Sequence, residues 1–208
     1  MPDIDLLPNR IVVLASALAY WVGVLIQARR VRHLIGHSPN LKPRGAREKL
    51  LWLGWTLVVV SWLALPFLAR TDATFFLLKV TPAGLPGLLA GTALVLAGYL
   101  GTLWCYAAMG DTWRIGVNRK EKTALVRQGP YRLLRHPIYA FQIYMLAGVA
   151  LLLPAPFSAL VLAFHFACAL VKATDEENYL RTVHRQDYED YLSRTGRFFP
   201  KLRLQKKP

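Results

Sequence analysis

The chain has 208 residues, of which 54% are hydrophobic, and its formal net charge at pH 7 is +14. This length suits one domain, and this apolar content excludes an ordinary basic soluble protein. The charge alone would favour nucleic-acid binding, but its distribution argues against this interpretation. Of the 26 Lys and Arg residues, 23 lie in three polar segments between or after apolar blocks: 29–49, 114–135 and 172–207.

Three apolar blocks in the first half of the chain predict transmembrane helices. Ile11–Ile26, Leu50–Ala69 and Leu88–Ala108 contain no Asp, Glu, Lys or Arg, and a helix needs ~20 apolar residues to cross a hydrocarbon core of ~30 Å. Met1–Pro8 carries acids and no basic residue, unlike the start of a cleaved signal peptide, so we expect the first helix to be retained. Three glycines in the third block predict close helix packing or, alternatively, close approach to a ligand: Gly91, Gly98 and Gly101.

The next apolar stretch, Ile138–Val171, is broken by Pro154 and Pro156. Each half would span only about 24 Å at ~1.5 Å per residue. The prolines therefore predict a helical hairpin with its bend at this point. The hairpin either crosses the bilayer fully or turns back inside it, and both alternatives return the chain to the side where it entered.

The segment 174–193 contains no Pro or Gly and repeats apolar residues every three or four positions, so it predicts an amphipathic helix that ends near Gly196. The predicted fold is thus an all-α polytopic membrane protein, with about five transmembrane helices and a cytoplasmic C-terminal helix. We expect one integral-membrane domain over residues 1–208. Its N-terminal transmembrane helices occupy residues 1–108.

With this arrangement, all three basic segments lie on one side of the membrane. The positive-inside rule makes that side cytoplasmic. We therefore expect a bacterial inner-membrane protein with its N-terminus outside and its C-terminus in the cytoplasm. Topology and anionic lipid headgroups account for the basic excess, so no nucleic-acid partner is expected. Cys105 and Cys168 lie inside apolar segments without metal-ligand spacing, so no metal site is expected either.

Two charged clusters flank the predicted hairpin. Gly129–Tyr139 reads GPYRLLRHPIY, and Asp175-Glu176-Glu177 follows the second half of the hairpin. Charge at a membrane edge is costly without a partner or a ligand. Carboxylates, Arg, His and aromatic faces together suit a cationic ligand that carries an adenine and an amino-acid group. Alternatively, Arg135 reaches lipid phosphates, Tyr139 belongs to an interfacial aromatic belt, and the acids favour a helix start.

The C-terminal half of the chain resembles a family of integral-membrane methyltransferases that includes isoprenylcysteine carboxyl methyltransferase and phosphatidylethanolamine N-methyltransferase. The resemblance covers roughly Met109–Lys201 and rests on these residues: Gly129-Pro130-Tyr131, Arg135-His136-Pro137, Tyr139, Glu176-Glu177, Leu180, Tyr188, Tyr191 and Pro200. It implies that residues 109–201 form a core that binds S-adenosylmethionine on the cytoplasmic side. The cofactor-binding residues that it implies are Tyr131, His136, Pro137, Tyr139, Glu176, Glu177 and Tyr188.

The implied function is methyl transfer to a lipophilic or amphiphilic acceptor, which could be a carboxylate, an amine or a thiol. The expected partners are this acceptor and the membrane lipids. Arg114 and Arg135 are the candidate catalytic residues. Arg114 would orient an anionic acceptor, or else contact lipid phosphates. Two alternatives stay open: an NADPH-dependent sterol or steroid reductase, which shares the Arg-His-Pro-x-Tyr element, and a non-catalytic membrane scaffold.

Overall fold

A computed structural model describes residues 6–40, 42–43, 45–115 and 124–201. Over these residues the chain is helical, with short 3₁₀ turns and isolated β-bridges between the helices. The five α-helices are α1 (Leu7–Ile35), α2 (Gly45–Leu68), α3 (Gly84–Met109), α4 (Pro137–Leu152) and α5 (Pro156–Arg194).

Helices α1, α2, α3 and α5 are long and apolar enough to cross a membrane. Their outer faces expose large apolar side chains, such as Leu50, Phe67 and Leu89, which suits contact with lipid. The three helices predicted for the first half of the chain are therefore present, each with the length and composition of a membrane span, and the protein has the build of an integral membrane protein. Helix α4 has 16 residues, or about 24 Å at ~1.5 Å per residue, which is shorter than a ~30 Å hydrocarbon core.

The predicted hairpin is formed by α4 and the start of α5, with its bend at Leu153–Ala155. The residues predicted to form a separate amphipathic helix, 174–193, belong to α5, which runs on from its apolar half at Pro156 to Arg194 and is kinked at Arg185. No Pro or Gly follows Pro156 until Gly196, so nothing in the sequence stops the helix where it leaves its apolar half. The polar half departs from helical geometry only at Arg185, where φ is 45°.

Helices α3 and α4 pack closely because glycines face the contact. A Cβ atom added at Gly98 would lie 2.4 Å from the Met145 side chain and 2.6 Å from the Phe141 carbonyl oxygen. A Cβ at Gly91 would lie 2.8 Å from the Gly148 carbonyl oxygen. These distances confirm the helix-packing interpretation of the glycines in the third apolar block. They also fix the position of α4, whose first residue follows His136.

We expect Gly98→Ala to destabilise the protein, since backbone as well as side-chain atoms of α4 must move to admit the new methyl group. Overpacking of this kind costs about 1–3 kcal/mol. Thermal unfolding in detergent, followed by circular dichroism, should show a lower Tm. Gly23→Ala is the matched control, because its Cβ would meet nothing closer than the Tyr99 side chain at 3.8 Å. Equal melting of the two variants would contradict this account of the contact.

Candidate functional site

The hairpin brings the two charged clusters of the sequence together at one end of the bundle. His136 directly precedes α4, which has Pro137 in its first turn, where the missing N–H of proline is tolerated. Tyr139, also in that turn, donates a hydrogen bond from its hydroxyl to Glu176 Oε1 at 2.8 Å. The expected convergence of the Arg-His-Pro-x-Tyr element and the paired acids is thus present in the structure.

A third segment, after the end of α5, joins these residues. The charged cluster is made of Arg135, His136, Tyr139, Glu176, Glu177 and Arg197. The Arg135 N–H donates to the Gly196 carbonyl oxygen at 2.8 Å, and the His136 N–H donates to the Arg197 carbonyl oxygen at 3.2 Å. This backbone pairing carries the Arg197 side chain to the acids. Arg197 is not among the residues predicted from the sequence. The family-like Pro200 marks its segment, but a backbone pairing across sixty residues has no local sequence signal.

Glu177 is the centre of an ion-pair network. Its Oε1 accepts hydrogen bonds from Arg135 Nε at 3.0 Å and Arg197 Nε at 2.9 Å, and its Oε2 accepts one from Arg197 Nη2 at 2.7 Å. The Glu177 side chain is only 2% exposed. A buried carboxylate is tolerated only with such partners. Burial acts to raise the pKa of Glu177, but His136, Arg197 and Arg135 outweigh it and hold that pKa well below its usual value.

Glu176, the neighbouring acid, is in a different setting. Its side chain is 21% exposed, and its Oε2 lies 3.4 Å from His136 Nδ1. Burial acts to raise the pKa of Glu176, yet the contacts with His136, Lys172 and Tyr139 lower it. The structure therefore holds two ionised acids side by side. Glu177 is enclosed by guanidinium groups, whereas Glu176 keeps an open edge.

His136 lies between the two acids. Its Nε2 is 3.3 Å from Glu177 Oε1, but the atom is buried and makes no hydrogen bond with the described residues. The imidazole is stacked on the Tyr139 ring, with 5.7 Å between centroids and 13° between planes. Burial lowers the pKa of His136, but the carboxylates of Glu176 and Glu177 outweigh burial and raise it above 6.5.

The other predicted residues are placed around this cluster or apart from it. Tyr131 is buried in the 3₁₀ turn Gly129–Arg132, and its carbonyl oxygen accepts a hydrogen bond from the Tyr191 hydroxyl at 2.8 Å. Tyr188 is fully buried on α5 and packs on Tyr191. The bonds described for Arg114 are local, since its Nη1 donates to the carbonyl oxygens of Asp111 and Trp113. Gly116, in the same Trp-Arg-Ile-Gly run, lies outside the described residues.

A cavity of about 550 Å³ lies beside the C-terminal end of α3, lined by residues 107–112 and 124–128. This volume is in the range of small-molecule sites. None of the cluster residues is among those that line it. Gln128 is the last residue in sequence that lines the cavity, and the Gly129–Arg132 turn follows it directly. In the sequence, this turn therefore lies between the cavity-lining residues and Arg135.

Residues 87–187 match a protein-family model described as phospholipid methyltransferase. The resemblance to the integral-membrane methyltransferase superfamily is confirmed over this segment. The matched segment begins in α3 and includes α4 and both acids of the cluster. It therefore contains six of the seven predicted cofactor-binding residues. The seventh, Tyr188, lies just beyond its end, as does Arg197.

Two metal-resistance proteins are also similar to the chain. The nickel-cobalt-cadmium resistance protein NccN of Alcaligenes xylosoxydans xylosoxydans is 31% identical over 113 residues, which cover 54% of this chain and 52% of that protein. The cobalt-zinc-cadmium resistance protein CzcN of Cupriavidus metallidurans is 26% identical over 152 residues, or 72% of this chain and 63% of that protein. The matches thus span between half and two thirds of the length of these relatives.

The raised pKa of His136 predicts a stability effect of pH in this methyltransferase-like segment. A group whose pKa rises on folding contributes stability that is present below its unfolded pKa, here about 6.5, and lost as pH rises through the folded value. We therefore expect the Tm difference between wild type and His136→Gln to shrink as the pH is raised from about 6 to about 9.

Thermal melts of both proteins over this pH range measure the difference. His33→Gln is the control, because His33 is exposed near the end of α1. Its Tm should follow the wild-type curve at every pH. If the gap between wild type and His136→Gln stays constant, protonated His136 does not bridge the two acids.

Proposed function

We propose that the protein transfers a methyl group from S-adenosylmethionine to a lipophilic or amphiphilic acceptor at the membrane surface. The observation that carries this proposal is the convergence of His136 and Tyr139 with Glu176 and Glu177 within a segment that matches the phospholipid methyltransferase family. A scaffold would need no buried histidine held between two carboxylates. Such a group is expected where a charged ligand is recognised.

Glu176, His136 and Tyr139 fit the cofactor. The partly exposed Glu176 carboxylate can accept hydrogen bonds from an amino group or ribose hydroxyls. The His136 imidazole is held between the carboxylates of Glu176 and Glu177, and the Tyr139 ring stacked on it suits a sulfonium cation. When bound, S-adenosylmethionine supplies a methyl group on an activated leaving group, so the protein contributes mainly positioning.

Glu177 and Arg135 have a supporting part in this proposal. Both oxygens of Glu177 are bonded to guanidinium groups, and Arg135 also donates to the Thr195 carbonyl oxygen. They hold the start of α4, the middle of α5 and the C-terminal segment in register. Tyr131, Pro137 and Tyr188 would form the surrounding wall. Arg114 keeps its proposed role, which is to orient an acceptor that bears negative charge.

The acceptor would enter from the lipid between the helices, and the membrane lipids are the other proposed partners. A carboxylate or thiolate acceptor needs no base, whereas an ammonium group must first lose a proton. The cofactor would come from the cytoplasm. The cluster and the C-terminus would then lie on the cytoplasmic side and the N-terminus outside, in a bacterial inner membrane.

The topology is tested by cysteine labelling. In a protein with Cys105 and Cys168 replaced by serine, we expect single cysteines at Ser38 and Ser193 to react only from the cytoplasmic side, and one at Thr74 only from outside. The reason is the one-sided distribution of 23 of 26 basic residues. All three positions are exposed. Labelling of Thr74 and Ser193 from the same side would overturn the orientation.

Calorimetry with purified protein tests the function. We expect binding of S-adenosylmethionine or S-adenosylhomocysteine and none of NADPH. Glu176→Gln should weaken that binding, because loss of a charge-assisted hydrogen bond costs ~1.5–3 kcal/mol, which corresponds to roughly 10- to 150-fold in affinity. Glu189→Gln is the matched control: Glu189 lies on the same helix, is half-exposed, and pairs with Arg181.

Binding of NADPH alone would replace the methyltransferase with a reductase. Binding of neither cofactor would favour the scaffold. Wild-type affinity in Glu176→Gln would place the cofactor away from this cluster, even if S-adenosylmethionine binds.

A further inference from the structure

The chain after α5 contributes to the charged cluster from outside the matched family segment. Residues 195–198 follow the last turn of α5, whereas the match ends at residue 187. Two backbone hydrogen bonds fix this stretch. The Gly196 N–H donates to the Leu133 carbonyl oxygen at 3.0 Å, and the His136 N–H donates to the Arg197 carbonyl oxygen at 3.2 Å. The stretch is therefore held directly against the start of α4.

A tight turn at Gly196 directs the next two residues to the cluster. A Cβ atom at Gly196 would collide with the Phe199 carbonyl oxygen, so the backbone doubles back too closely for a side chain here. Phe198 is buried, and its ring lies 6.2 Å from the His136 imidazole, centroid to centroid, at 68° between planes. The imidazole therefore contacts one aromatic ring from α4, that of Tyr139, and one from the chain after α5.

Arg197 binds Glu177 through both of its carboxylate oxygens. Its Nε donates to Oε1 at 2.9 Å and its Nη2 donates to Oε2 at 2.7 Å, the forked geometry in which a guanidinium group recognises a carboxylate. Arg135 Nε donates to Oε1 at 3.0 Å, and His136 Nε2 lies 3.3 Å from the same atom. Among the described residues, the bond to Oε2 comes from Arg197.

This crowding at Glu177 determines how His136 serves the other acid. Three positively charged groups meet at Glu177 Oε1, and the imidazole makes the longest of the three contacts. Its other nitrogen, Nδ1, lies 3.4 Å from Glu176 Oε2, while the Tyr139 hydroxyl donates to Glu176 Oε1. Lys172, one turn earlier on α5, is a further positive group acting on Glu176. Glu176 is thus held from the protein side and keeps its exposed edge free.

We propose that Arg197 is a positioning residue of the cofactor site, which acts through Glu177 to keep the His136–Glu176 pair in the form that accepts hydrogen bonds from S-adenosylmethionine. This role rests on the methyltransferase function proposed above. Without Arg197, Glu177 Oε2 would be a buried charge that lacks compensation. The imidazolium of His136 would then be drawn onto Glu177, and Glu176 would lose the partner that orients it.

Nuclear magnetic resonance tests the electrostatic step without the cofactor. In protein labelled with ¹⁵N-histidine, the His136 signal is identified by its absence from His136→Gln. In Arg197→Ala, His136 should titrate at a higher pH than in wild type, because a positive charge is lost while both acids still face the ring. If Arg197 served only to fasten the chain end, its loss would free His136 from the acids, and its pKa would fall towards 6.5.

Calorimetry with S-adenosylhomocysteine tests the positioning step. We expect Arg197→Ala to weaken binding about 10-fold, as for the loss of one charge-assisted hydrogen bond. Arg197→Lys should recover part of this loss, since lysine keeps the charge without the fork. In a double-mutant cycle with Glu177→Gln, the two losses should not add, because Arg197 acts through that carboxylate.

Arg194→Ala is the matched control for both measurements, because Arg194 is exposed in the last turn of α5. It should leave the His136 titration and the affinity unchanged. Both measurements are also made on Arg197→Lys, which carries the test should Arg197→Ala not fold.

Additive losses in the cycle would mean that Arg197 contacts the cofactor itself, and would overturn the positioning role. Wild-type affinity in Arg197→Ala, or a His136 titration shifted to lower pH, would overturn it as well. If the wild-type protein binds no S-adenosylhomocysteine while His136 still titrates higher in Arg197→Ala, the methyltransferase function and the cofactor role fall together, and the charge coupling between Arg197 and His136 stands.

Discussion

The buried carboxylate of Glu177 is the constraint on which the end of the helix bundle that carries the charged cluster depends. A charge with 2% exposure cannot stay ionised alone, so Arg135 and Arg197 must both reach it. Arg135 comes from the turn before α4, Glu177 from α5, and Arg197 from the chain after α5. One electrostatic requirement thereby joins three segments that are distant in sequence, and it places His136 beside them.

The division between the two adjacent acids follows from helix geometry. Successive residues of an α-helix point about 100° apart, at 3.6 residues per turn, so Glu176 and Glu177 share His136 as a neighbour but otherwise face different groups. Glu177 faces the guanidinium groups, and Glu176 faces Tyr139 with part of its side chain exposed. A paired acid in the sequence therefore becomes one carboxylate enclosed by guanidinium groups and one with an exposed edge.

The start of α4 joins the charged cluster to the interior of the helix bundle. The close packing of α3 on α4 through Gly91 and Gly98 sets where α4 begins. From that position, Tyr139 reaches Glu176 in the cluster, and Gln142, one turn further along α4, reaches the Tyr20 hydroxyl of α1. Trp55 of α2 packs on both Tyr139 and His165. The packing of four helices thus sets the geometry of the charged cluster.

The sequence by itself determined the helices, the hairpin and the identity of the charged cluster. Apolar runs of about 20 residues have few alternatives to a membrane helix, the Pro154 and Pro156 pair must end one, and the Arg-His-Pro-x-Tyr element with two acids is specific to a superfamily. These features are local, so they can be read directly. The change from apolar to polar residues near Lys172 predicts a helix boundary, but α5 runs through this point because nothing there breaks the backbone.

Only the tertiary structure decided which groups meet. Arg197 enters the cluster through backbone bonds to Arg135 and His136, and His165 meets Gln142 and Tyr20 only because four helices pack around one cavity. Contacts of this kind depend on helix rotation and on the turn after α5, neither of which has a sequence pattern of its own.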